Sequence, residues 1–134
     1  MNEKLDRDGR SQLHAAAASN DVESARALSV DGADVNLHDR LGFTPLHFAA
    51  QEWAVEVAPL LLENGAEVDS LNMYGNTPLF VATVASRGRG DLIEILRRYG
   101  ADPLRENTSG QTPVGLARLI ANYDVAQFFD DVAV

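Results

Sequence analysis

The chain has 134 residues, of which 46% are hydrophobic and 23% charged, so it is typical of a soluble globular protein with one domain. Its net charge of −9 disfavours nucleic acid and anionic membranes as partners, and the absence of cysteine excludes disulfides, thiolate metal sites and cysteine nucleophiles. No apolar run approaches the roughly 20 residues of a membrane helix. The charged N-terminus lacks the apolar segment of a secretory signal, so a cytoplasmic location is expected.

Two series of glycines recur at a nearly constant spacing of 33 to 35 residues. The first series consists of Gly9, Gly42, Gly75 and Gly110. The second consists of Gly32, Gly65 and Gly100. Because two independent series keep one period, the sequence predicts an array of repeated units.

Each unit is predicted to be a pair of short helices that follows a turn with Asp or Asn and then Gly. A threonine caps the first helix and a proline occupies its first position, as in Thr44-Pro45 and Thr77-Pro78. Small apolar residues follow, and then a loop and a second helix, which ends in unit two at the left-handed cap Gly65. Because such a pair is too small to bury its own apolar face, the units must stack.

In chain order, four units are predicted at about residues 6–38, 39–71, 72–106 and 107–134, within one domain that spans residues 1–134. The first unit has Gln12 in place of proline and a polar opening, which suits an N-terminal cap that faces water. The fourth unit is degenerate. Phe128 and Phe129 are predicted to cover the last apolar surface.

Two local features depart from the repeat. Pro59 falls within the second helix of unit two and is interpreted as a proline tolerated near the helix start, with a functional kink as the alternative. The two extra residues of unit three fall at SRGRG, residues 86–90. This segment is interpreted as a flexible connector, with an anion site or a contact with an acidic patch of a partner as alternatives. It lacks the Lys-Ser/Thr ending of a nucleotide-binding loop.

The repeated strings resemble the ankyrin repeat. They are SQLHAAA, DGADVN, TPLHFAA, NGAEVD, TPLFVAT and YGADP, with a degenerate QTPVGLA, and the resemblance covers about residues 6–130. It implies an all-α solenoid of stacked helix-turn-helix units joined by β-turn finger loops. It also implies that His14 and His47 bond to neighbouring loop backbone and tie units together. Phe80 and Gly115 replace this histidine in units three and four, so other contacts must hold those junctions.

No arrangement of residues indicates catalysis. No histidine pair has the spacing of metal ligands, and Ser11 occupies the position of a helix cap rather than of a nucleophile. Asp and Glu are spread along turns and helix exteriors. The prediction is a protein that is not an enzyme, with no cofactor, no metal and no small-molecule substrate.

The resemblance implies binding of another protein through a concave face that the turn tips and first helices form. The candidate contact residues are the non-framework positions of that face, namely Arg40, Leu41, Phe43, Glu52, Trp53, Met73, Tyr74, Asn76, Arg105 and Gln111. Gln51, Val84 and Ala85 are neighbouring positions of the same kind. Phe43, Trp53 and Tyr74 are predicted to form the interface core, because interface cores are rich in aromatic residues. The alternative is that some of them pad the stack.

Since the four repeats account for almost the whole chain, binding itself is expected to be the function. The hypothesis is an inhibitor or neutralising partner of a basic protein, steered by the acidic charge. Ankyrin-like proteins of this size occur among bacterial antitoxin (immunity) proteins, and four-repeat relatives inhibit cyclin-dependent kinases in animals. The alternative is a structural or scaffold adaptor without inhibitory activity. An on-rate that falls steeply with salt would favour the inhibitor.

Overall fold

The computed structural model describes residues 4–120 and 123–133, which form seven α-helices and one 3-10 helix and contain no strand. In chain order these are α1 Gln12–Ala18, α2 Val22–Val30, α3 Pro45–Gln51, α4 Val57–Glu63, α5 Pro78–Ala85, α6 Asp91–Arg98, α7 Pro113–Leu119 and the 3-10 helix Ala126–Phe129. The prediction of an all-α fold is confirmed. Residues 1–3, 121, 122 and 134 of the predicted domain lie outside the described residues.

The helices form stacked pairs. α1 packs on α2, α3 on α4 and α5 on α6, while α1, α3, α5 and α7 pack on one another in succession. We call α1, α3, α5 and α7 the inner helices and α2, α4 and α6 the outer helices. Alanines such as Ala17, Ala49 and Ala82 are fully buried in this stack, and their small side chains allow neighbouring helices to approach closely.

Each inner helix begins at the cap that the sequence predicts. In each, a Ser or Thr hydroxyl oxygen accepts a hydrogen bond from the backbone N–H three residues later. These caps are Ser11, Thr44, Thr77 and Thr112. In α1 and α3 the residue three positions later is a histidine whose ring accepts from the N–H of the cap, which completes a capping box.

The start of α4 explains why Pro59 is tolerated. Pro59 is the third residue of this helix, where a backbone N–H would have no partner within the helix. The first interpretation, a proline near the helix start, therefore agrees with the structure. Asn20 of the preceding unit caps α4, because its Oδ1 accepts from the N–H of Val57 at 3.1 Å. Gly65 follows the end of α4 with a φ of +94°, as predicted.

The C-terminal segment closes the stack. Phe129 is fully buried, and the Phe128 ring packs so closely on Gly90 that a Cβ there would lie 2.1 Å from Phe128 Cε1. The predicted role of these two phenylalanines is therefore confirmed. Arg97 of α6 fastens the segment, because its guanidinium donates to the carbonyl of Phe128 at 3.0 Å and to both carboxylate oxygens of Asp131 at 2.7 Å.

Candidate protein-binding face

Four turns, which we call fingers 1 to 4, form a hydrogen-bonded row along one edge of the stack. They comprise residues 6–10, 39–43, 72–76 and 107–111. In each of fingers 2 to 4, one backbone N–H donates to a carbonyl of the preceding finger. The bonds run from Arg40 to Asp8 and from Met73 to Leu41 at 2.9 Å, and from Thr108 to Tyr74 at 3.1 Å. A Cβ on Gly42 would lie 2.9 Å from the Met73 nitrogen, so only glycine permits this approach.

His14 and His47 tie the fingers to the inner helices, as the resemblance implies. Nε2 of His14 donates to the carbonyl of Phe43, and Nε2 of His47 donates to the carbonyl of Asn76, each at 2.9 Å. Nδ1 of His47 accepts from the N–H of Thr44 at 3.1 Å. Because burial lowers the pKa of His47 to about 4, the ring is neutral at physiological pH and keeps one acceptor and one donor.

The predicted contact residues at the tips of fingers 2 and 3 are exposed. Arg40 lies beside Leu41, which is 42% exposed, while Met73 and Tyr74 are 58% and 50% exposed. Val84 of α5 is 62% exposed and lines a cleft with Tyr74. We call Leu41, Met73, Tyr74 and Val84 the apolar strip.

Phe43 and Asn76 lie in the same two fingers but also hold the stack together. The half-buried Phe43 ring packs on the rings of His47 and Phe48, with centroids 5.5 Å away. The side-chain oxygen of Asn76 accepts from Nδ2 of Asn107 at 2.9 Å. The alternative that some candidate residues pad the stack therefore applies to these two.

Trp53 is bonded to the following unit instead of lying free. It follows Glu52, the exposed C-cap of α3, and has a positive φ of +57°. Its Nε1 donates to Asp91 at 2.9 Å, and the guanidinium of Arg89 lies 4.4 Å from the ring centroid. The half-buried Trp53 is thus a bridge between units two and three.

Residues 86–90 form a compact turn, which argues against a flexible connector. The Ser86 hydroxyl donates to the carbonyl of Arg89 at 3.0 Å and accepts from the N–H of Gly88 at 3.1 Å. The Arg89 guanidinium donates to the carbonyls of Ala85 and Ser86. Arg87 and Arg89 are both exposed, and the Arg89 guanidinium is engaged by these bonds. The anion site and the acidic-patch contact stay predictions.

The remaining candidates lie at finger 4 or just before it. Gln111 is exposed, while its backbone N–H and carbonyl both bond to Asn107 and close the finger. Arg105 is exposed and precedes the finger. Burial raises the pKa of the nearby Asp69 carboxyl, and the charge of Arg105 opposes this effect.

A cleft of about 250 Å³ opens on the inner side of fingers 2 and 3. The residues that line it are Phe43, Gln51, Asn72, Tyr74, Asn76, Phe80, Val81, Val84 and Ala85. None of these described residues is charged, and most of the wall is apolar. Asn72 and Phe80 were not among the predicted contact residues. The replacement of the repeated histidine by Phe80 was the sequence signal that could have pointed to this place.

The acidic charge of the chain lies away from this face. The four fingers and the inner helices together contain four arginines and three aspartates, a net charge of +1. The rest of the chain contains seven basic and seventeen acidic residues, a net charge of −10. The expected attraction to a basic partner therefore cannot come mainly from direct contacts with the fingers.

No group of three or more His, Asp or Glu side chains within residues 4–120 and 123–133 is placed to hold a metal ion. Over the same residues, no helix is both long enough and apolar enough to span a membrane.

The stacked helix pairs and the row of fingers define a helical-repeat solenoid, a class of protein that binds other proteins along an extended face. The chain belongs to the ankyrin-repeat family, whose model for ankyrin repeats in three copies matches residues 13–107. Ankyrin repeats mediate binding to other proteins and are typically non-catalytic. A search of the curated proteins finds no match to this chain.

Proposed function

We propose that this protein binds another protein through the fingers and inner helices and acts as an inhibitor or neutralising partner by covering the surface that it binds. The observation that carries this proposal is the apolar strip, in which Leu41, Met73, Tyr74 and Val84 are 42 to 62% exposed on one face. Large apolar side chains gathered on one surface are typical of interaction sites, and aromatic residues and methionine are enriched in interface cores.

The distribution of apolar residues supports an inhibitor over an adaptor that joins two proteins. An adaptor needs a second binding surface. In the described part of the outer helices and their caps, the large exposed hydrophobic residues are Val30 at the end of α2 and Tyr99 after α6. They belong to units one and three, so they are not in neighbouring units. The acidic charge outside the fingers and inner helices is the observation that favours the alternative, an adaptor that holds a basic protein there.

The net charge of −9 supports a basic target, with an effect on the rate of association rather than on contacts. The finger row and inner helices carry +1, so few salt bridges with a basic partner are expected in the interface. Charges outside the fingers and inner helices are screened beyond about 8 Å at physiological ionic strength. Steering is therefore expected to show mainly at low salt.

The test is affinity capture from the native host with the tagged protein, followed by measurement of the dissociation constant for the captured partner. The double variant Leu41→Ala/Met73→Ala is expected to weaken binding about 100-fold or more, as loss of interface hot spots does. Val30→Ala/Tyr99→Ala removes comparably exposed side chains from the outer side and is the control. A partner that binds the strip variant with unchanged affinity would contradict the proposal. An assay of the partner's own activity, with and without the protein, separates an inhibitor from an adaptor.

A further inference from the structure

Three residues at equivalent positions of fingers 2, 3 and 4 fold their turns in the same way. Asp39, Asn72 and Asn107 each use Oδ1 to accept two backbone N–H groups of their own finger, at 2.8 to 3.0 Å. In Asp39 and Asn107 the other end of the side chain bonds to the preceding finger.

The first and last of these residues find a polar partner there. Oδ2 of Asp39 accepts from Nε of Arg10 at 3.3 Å, and Nδ2 of Asn107 donates to Oδ1 of Asn76 at 2.9 Å. In finger 2 the position equivalent to Arg10 and Asn76 is Phe43, which offers no side-chain acceptor. Nδ2 of Asn72 is accordingly buried without a hydrogen-bond partner among the described residues.

An unpaired buried donor is unusual, because buried polar groups are nearly always hydrogen-bonded. Asn72 is 6% exposed and is one of the residues that line the cleft between fingers 2 and 3. The cleft walls are the apolar side chains of Phe43, Phe80, Val81 and Val84, with Tyr74 at the rim of the finger. A donor without an acceptor thus coincides with an apolar cavity on the face proposed to bind.

We propose that this cleft receives one large uncharged side chain, aromatic or branched aliphatic, from an extended segment of the partner protein, and that Asn72 donates a hydrogen bond to a backbone carbonyl of that segment. The inference rests on the proposed function and names where the partner is anchored.

Three observations select this occupant. A charged side chain is disfavoured because no charged residue is among those described as lining the cleft, so the charge would be buried unpaired. The volume of about 250 Å³ suits one side chain and falls below the roughly 300–1,000 Å³ of small-molecule pockets. A backbone carbonyl accompanies every residue of an extended segment, so the acceptor for Asn72 arrives with the side chain. Since the amide nitrogen is covered in the free protein, the side chains around it must shift as the segment enters.

The test uses peptides selected on the full chain from a phage-displayed random library as the probe. The selected peptides are expected to share one Phe, Tyr, Trp, Leu or Ile position. Asn72→Asp keeps the oxygen that orders the finger, as Asp39 does naturally, and removes the donor. This variant is expected to bind a selected peptide about tenfold or more weakly. Asn107→Asp removes the equivalent amide where its acceptor is internal, and its peptide affinity is expected to stay within about twofold.

A second readout is the side-chain amide proton signal of Asn72, which should move downfield in the NMR spectrum of the wild-type protein as peptide is added. Three results would overturn the inference. They are unchanged peptide affinity in Asn72→Asp, selected peptides that share a charged residue at the common position, and a selection that recovers no binding peptide. The captured partner distinguishes the two proposals. If it binds Leu41→Ala/Met73→Ala weakly but binds Asn72→Asp with full affinity, the cleft proposal is contradicted and the proposed function is supported. If the partner binds both variants with full affinity, the cleft proposal and the proposed function are both contradicted.

Discussion

The junction between units two and three and the junction between units three and four solve the same problem with different chemistry. At the former, His47 is buried and bonds to both its own helix cap and the next finger. At the latter, Phe80 replaces the histidine, and the finger contacts come from the side chains of Asn107 and Thr108. The C-terminal segment adds Phe129 and the clamp of Arg97 on Asp131. The former junction includes a buried neutral imidazole, whereas the latter combines polar finger contacts and the Arg97–Asp131 clamp with the burial of Phe129.

This difference shows that the stack does not require its most recognisable residue at every junction. Stability in a solenoid is close to a sum of unit and nearest-neighbour terms, so each junction can be fastened independently. It also implies that the two junctions fail under different conditions. Amino-acid substitutions and low pH should therefore destabilise one junction more than the other.

The largest effect is expected from Phe129→Ala. Removal of a fully buried phenylalanine costs about 3–5 kcal/mol, and here the loss falls on the last unit. Hydrogen exchange measured by NMR should accelerate in α7 and leave α3 and α4 protected. The exposed Leu119→Ala is the control and should change neither. Equal acceleration along the whole chain would show that the last junction is not an independent element.

The next effect is a dependence of stability on pH at the His47 junction. The folded-state pKa of about 4 lies below the ordinary value of 6.5, so the unfolded chain binds more protons between these two values. The contribution of His47 to the free energy of unfolding is therefore fully present above about pH 6.5. It falls by on the order of 3 kcal/mol as the pH drops towards 4. Urea unfolding from pH 7 to pH 4 measures it.

His47→Gln is expected to be less stable than wild type at pH 7 and to lose much of this pH dependence. The exposed His38→Gln is the matched control for loss of an imidazole and should change the profile much less than His47→Gln does. A His47→Gln profile parallel to that of wild type would mean that other groups, not this imidazole, set the response to acid.

Features that recur in every repeat could be predicted from the sequence, whereas contacts between non-repeating positions could not. The period and the Ser and Thr caps were predictable because each is a local signal that recurs at a fixed offset, and the role of His14 and His47 was implied by the resemblance to the ankyrin repeat. The Trp53–Asp91 bond and the Asn76–Asn107 pair join variable positions 38 and 31 residues apart, which no repeating pattern marks. For the same reason the candidate residues of the binding face were predicted only in part: Leu41 and Tyr74 are exposed, while Phe43 and Asn76 also serve the stack.

The smallest effect is expected from Asp131→Asn. The carboxylate makes two bonds of 2.7 Å to Arg97, and this partner lowers the pKa of Asp131, so the clamp is intact above the ordinary pKa of an aspartate and weakens as the pH falls through the lowered value. Because the Asp131 side chain is 68% exposed, water and salt screen the pair. Melting curves at low and high salt should show a loss for Asp131→Asn that is smaller than that of either buried substitution and that shrinks with salt. The exposed Asp130→Asn is the matched control. A loss comparable to that of Phe129→Ala would mean that the ion pair, rather than apolar burial, holds the last unit in place.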